Sequence, residues 1–167
     1  MKTFVRTAVL FVALLLQTSV ISQFHMFHAV PNLFLVVLFY TVSVSDMKYT
    51  IAVSALFGAV LDLLVGKVFG INTALSLLFA IAVSYISNHI RDKKLPYYSV
   101  LSFLFTGAYE YCASLFLISG SMSVTLRWAF LHKVIPTALA NTVLMIPVYL
   151  LLHRCFKKYY EERKREK

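Results

Sequence analysis

Asp62 and Glu110 are the two carboxylates that fall inside long apolar runs, so any chemistry in this chain would be sought there first. An acid at membrane depth is costly. It therefore faces a bundle interior and marks a proton or ion path, or a specific polar contact. Asp62 belongs to a row: Ser54, Gly58, Asp62, Gly66 and Gly70 recur every fourth residue. On a helix such a row is nearly straight. Small residues let two backbones approach closely where lipid supplies no hydrophobic drive. The row thus reads as a helix-packing or partner-binding face with one acid set into it. Desolvation favours the neutral acid, and a protonated Asp62 would tolerate replacement by Asn. A transport path needs a third polar group in line with the two acids, and none stands out.

The remaining candidates for chemistry are weaker. His25 and His28 could offer two imidazoles to a metal, but no cysteine or carboxylate lies near them in sequence. His89, His132 and His153 fall at helix ends or in the interface. Cys112 and Cys155 lie on different helices, without redox or metal spacing, and read as structural. There is no His-Glu-x-x-His, no Gly-x-Ser-x-Gly and no phosphate-binding glycine loop. Neither an enzyme, a metal nor a cofactor is expected.

The elements that must position these residues are apolar helices. The chain has 167 residues, 60% hydrophobic and only 14% charged, where soluble domains carry about 25% charged residues. No ionised side chain lies between Arg6 and Asp46, between Lys67 and Arg91, or between Lys133 and Arg154. A span needs about 20 apolar residues, so the chain reads as an all-α integral membrane protein. Its transmembrane domain is expected over 1–156, with a basic tail over 157–167.

A first helix over Thr7–Ile21 is expected to be retained, because no small-x-small cleavage site follows its basic start. Pro31 is expected to open a short second helix reaching Ser45. The third runs from Tyr49 to Val65, the fourth from Ile71 to Ile90, and the fifth from Tyr97, after Pro96, to Ile118. Ser119–Lys133, with Val124, Trp128 and Leu131 at helical spacing, reads as an interfacial helix. Pro136 then begins a sixth helix ending near His153.

The net charge of +9 is not spread as a nucleic-acid surface would be. Thirteen of the sixteen Lys and Arg fall on one side of a six-crossing topology, and only Lys67, Arg127 and Lys133 fall on the other. The positive-inside rule makes both termini cytoplasmic.

Where Gly58-x-x-x-Asp62 is followed by Gly66 and Gly70, the chain resembles the rod shape-determining protein MreD family. Pro31-Asn32 resembles the opening of that family's second helix, and Gly70-Ile-Asn-Thr the start of its fourth. Pro136, Asn141 and Pro147 resemble its last helix. The resemblance covers nearly the whole chain in order. It implies a six-transmembrane-helix bundle similar to the substrate-binding subunits of energy-coupling-factor transporters. It further implies a membrane subunit of the cell-elongation machinery in the bacterial inner membrane. The implied partner is a bitopic MreC-like protein and, through it, MreB and the peptidoglycan synthases.

Two functions follow from these readings. One is a non-catalytic scaffold that receives a partner's transmembrane helix, with self-association left open. The other is the vitamin-binding subunit of a small-molecule importer. Such subunits dock through Ala-x-x-x-Ala in the first helix, whereas Ala8 and Ala13 here are five residues apart, which counts against transport.

Overall fold

The structure is a computed structural model that describes residues 2–19, 31–65, 69–90, 93–118, 127 and 130–165. The described elements are helices: α1 (Lys2–Ser19), α2 (Leu33–Ser43), α3 (Met47–Val65), α4 (Ile71–His89), α5 (Leu95–Ile118), a π-helical turn at Phe130–Val134, and α6 (Ile135–Arg165).

α2 is the axis of the molecule. Its sequence is apolar on every side, which is the pattern of a helix enclosed all round. Every residue from Phe34 to Ser43 is buried. It touches each of the other five helices. Leu10 and Leu14 of α1, Phe57 and Leu61 of α3, Phe79 and Val83 of α4, and Met145 of α6 share one core with it. Phe39 and Phe79 each meet Phe105 of α5 edge-on at 6.1 Å. Eleven residues make only about 16 Å of helix, roughly half a bilayer's hydrocarbon thickness.

Among the described residues three stretches are long and apolar enough to cross a membrane: Met47–Leu64, Ile71–His89 and Phe130–Arg154. Thr3–Ser19 and Leu33–Ser43 are shorter apolar helices.

Several boundaries differ from the sequence expectation, each for a local reason. Pro31 does not open α2. Asn32 is the N-cap, its side chain accepting from Leu35 N, so Pro31 stays outside. α3 begins at Met47, because the Asp46 carbonyl already accepts from Thr50 N. α5 begins at Leu95, with the Lys94 carbonyl accepting from Tyr97 N at 3.0 Å, which leaves Pro96 in the first turn where its missing N–H costs nothing.

Residues 119–126 and 128–129 of the expected interfacial helix lie outside the described part. Its end is the π turn, which runs straight into α6. Pro136 has no N–H to close an ordinary turn there, and a widened turn accommodates that loss. α6 passes His153 and continues to Arg165, so the basic tail extends the last helix. His25, His28, Gly66, Lys67, Arg91 and Trp128 also lie outside the described residues, as does the side chain of Cys155.

Candidate functional site

Two polar junctions hold the bundle, and both are built on helix N-termini. An α-helix begins with N–H groups that have no partner within the helix. In a nonpolar surround each must find one elsewhere.

The first junction is at Asp62. α4 starts at Gly70, which adopts φ +98°, a backbone region that favours glycine, and offers no side chain as a cap. Asp62, near the end of α3, takes over that task from across the turn. Its Oδ2 accepts from Gly70 N at 3.0 Å, Thr73 N at 2.9 Å and Thr73 Oγ1 at 2.6 Å. Oδ1 accepts from Asn72 N and Asn72 Nδ2, both at 3.0 Å. Tyr109 of α5 donates to Asn72 Oδ1 at 2.8 Å, tying the junction to a third helix. A carboxylate at the positive end of a helix is also electrostatically favourable. Four of its five donors are N–H groups, so the Asp62→Asn tolerance expected from the sequence does not follow. An amide would turn its own NH2 toward donors.

Ser54 and Gly58 face the same way on α3, which ends at Val65, so Gly70 leaves the expected row and instead begins α4. Ser54 donates to Thr50 O at 2.6 Å, while its carbonyl accepts from Ser76 Oγ at 3.0 Å. At Gly58 a Cβ would overlap Ser76 Oγ and come within 2.7 Å of Thr73 Cα. The close contact on this face is therefore made by the chain itself, with α4 seated on α3.

The second junction gathers around the start of α2. Asn141 of α6 accepts from Asn32 N at 2.6 Å through Oδ1 and reaches Thr106 Oγ1 through Nδ2 at 3.4 Å. Gln17 of α1 accepts from Leu33 N at 2.7 Å and donates to Pro31 O at 3.1 Å. Three amide side chains from α1, α6 and the N-cap thus satisfy the first turn of α2. Asn32 and Asn141, which stand 109 residues apart, meet here. Thr106 lies halfway along α5, so α2 begins near the middle of the bundle's length.

The opposite end of α2 is held by cations. Arg6 Nη1 donates to Ser45 Oγ at 3.0 Å and its guanidinium lies 5.8 Å from the Tyr49 ring centre. Lys93 Nζ donates to the Ser43 carbonyl. Both side chains are buried, and positive charge suits a helix C-terminus. Tyr40, Tyr98 and Tyr149 cluster at the same end with their rings tilted to one another, and His153 stacks on Tyr149 at 5.0 Å.

Sequence reasoning missed Gln17, Arg6 and Lys93. The only sign of Gln17 was its amide inside an apolar run. Arg6 and Lys93 looked like ordinary flanking charges.

The two acids do not converge. Glu110 follows Tyr109, and one residue turns a helix by about 100°. It therefore points to the π turn, where it pairs with Lys133 at 3.1 Å. Pro136 sits in the first turn of α6 and Pro147 inside it. Ala8 is exposed and Ala13 buried, so they do not form one docking face. Among the described residues no three His, Cys, Asp or Glu gather as a metal site.

Comparison with curated proteins and with solved structures returned no match. A family model does match, over residues 1–157, and its description is rod shape-determining protein MreD.

Proposed function

We propose, from the premise that this chain belongs to the MreD family, that it is a six-crossing, non-catalytic subunit of the bacterial cell-elongation machinery. In this reading it lies in the inner membrane with both termini cytoplasmic. It binds an MreC-like bitopic protein and, through it, supports MreB-guided peptidoglycan synthesis. The observation that carries the reading is the family match across 157 residues.

The geometry supports it in two ways. The polar side chains of both junctions are spent on helix termini, which makes them architectural groups. Arg6, Lys93 and Lys94 lie at the end of the bundle where α2 and α4 finish and α3 and α5 begin, consistent with one cytoplasmic face. An importer subunit would call for an open polar site near mid-depth. The start of α2, where a half-length helix could hold an anion, has Asn141 and Gln17 on it instead.

The test is complementation in rod-shaped cells depleted of their own MreD. The chain should restore rods, and an affinity-tagged copy should recover the MreC-like protein from solubilised membranes. Round cells despite normal expression in the membrane, together with no recovery of that protein, would reject the reading.

A further inference from the structure

Between α5 and the π turn leading into α6 lies an apolar groove of about 280 Å³. Gly107, Ala108 and Ala138 line it together with Leu104, Tyr111 and Phe130. Of that lining, Tyr111 and Phe130 meet each other edge-on at 6.1 Å.

Among the described residues nothing packs closely against Gly107: a Cβ there would meet Ala138 Cβ at an ordinary 3.8 Å. Glycine inside a helix is weaker than alanine, so its use calls for a close approach from outside. Acyl chains fill such a groove without needing a glycine, because they adapt to the surface they meet. A second helix does need one, since its backbone is rigid and approaches only over small residues.

The groove's head carries a charge. Glu110 and Lys133 flank Tyr111 and Val134 there, and the pair is lopsided: the lysine side chain is 45% exposed and the glutamate 10%. An ammonium has three donors. With one N–H on Glu110, the half-exposed ammonium has further donors for an acceptor on a neighbouring helix.

We propose that this groove receives the transmembrane helix of a single-pass partner. That helix presents Gly, Ala or Ser over Gly107 and a carboxylate beside Lys133. The proposal rests on the partner-binding reading above and adds the surface and the chemistry of the contact.

The experiment uses the full chain co-expressed with the MreC-like single-pass protein. A photo-crosslinking residue is placed singly at Leu104 or Leu139, beside the groove, and at Leu63 or Leu78, exposed on α3 and α4. Adducts to the partner's helix are expected at 104 and 139 and not at 63 or 78. Gly107→Leu should cut the partner recovered by about tenfold or more while leaving the chain's own thermal unfolding unchanged. Lys133→Gln should cause a smaller loss. Partner adducts at 63 or 78 alone would overturn the groove while keeping the partner reading. Adducts at 104 and 139 only to lipid, or only to a second copy of the chain, would overturn the groove as well. Failure to recover the partner with the unaltered chain would overturn the underlying reading.

Discussion

Gly58 and Gly107 stand in two antiparallel helix pairs, α3–α4 and α5–α6, and a methyl group would meet them in opposite ways. At Gly58 the added carbon would overlap Ser76 and crowd the backbone at Thr73. At Gly107 it would rest against Ala138 at a normal distance. The first glycine closes a contact within the chain, and the second has no such close contact among the described residues. The polar groups differ in the same sense. Asp62 binds five donors of its own chain, whereas Lys133 keeps nearly half its side-chain surface exposed. A small residue in a membrane helix thus has two meanings, and only the neighbour across from it tells them apart.

The sharpest break in the comparison is Gly58→Leu. Its side chain cannot fit unless α4 lifts from α3, and that would pull Gly70, Asn72 and Thr73 away from Asp62. Overpacking typically costs about 1–3 kcal/mol, and here it should sit at or above the upper end because backbone is in the way. Little folded protein is expected on size-exclusion chromatography in detergent. A normal yield and melting temperature would mean that the α3–α4 contact is loose.

Asp62→Ala should come next. It orphans the first N–H groups of α4 together with the Asn72 and Thr73 side chains. Loss of a helix cap costs about 0.5–2 kcal/mol, and each buried donor left alone adds to that. Asp62→Asn should recover only part of the loss, because one oxygen becomes a donor facing donors. Thermal unfolding of the purified variants checks the order: wild type, then Asn, then Ala. An Asn variant equal to wild type would show that the cap does not need two acceptor oxygens.

Much of this arrangement was legible from residue types, and what was not has a physical reason. Ser54, Gly58 and Asp62, four residues apart, share the side of α3 that meets α4, because periodicity maps onto a helix surface. The period does not carry through to Gly70, which lies past the end of α3. It did not reveal what covers that face, since α4 is seated on α3 by donors at Gly70, Asn72 and Thr73 that reach Asp62 only once the two helices pair. Asn32 and Asn141 stood out by resemblance, yet nothing local in either segment says that they touch. Gln17 was invisible for a different reason: a lone amide in an apolar run reads as a tolerated defect until its backbone partners at Pro31 and Leu33 are in place. Arg6 and Lys93 read in the sequence as charges flanking apolar runs, and that reading hides their role at the C-terminus of α2.

The α2 junction gives an intermediate effect. Asn141→Leu removes an acceptor from Asn32 N, and Gln17→Leu removes one from Leu33 N. Each should cost about 0.6–2 kcal/mol, the range for hydrogen bonds within membranes. Both side chains serve the same first turn, so the double variant should depart from additivity. Strict additivity in a double-mutant cycle on thermal unfolding would show the two amides acting independently.

The smallest effect on the fold should come from Gly107→Ala, and it completes the contrast with Gly58. The new methyl group lies 3.8 Å from Ala138 Cβ and displaces nothing. Alanine also favours a helix over glycine by up to about 1 kcal/mol. The free chain should therefore melt at the same temperature or slightly higher, whereas Gly58→Ala must force Ser76 and the Thr73 backbone to move and should melt lower. Measured side by side in one detergent, the two alanine variants should shift in opposite directions or differ clearly in size. Equal destabilisation would mean that α5 and α6 are packed as tightly as α3 and α4, and the groove would then be too narrow to admit a helix.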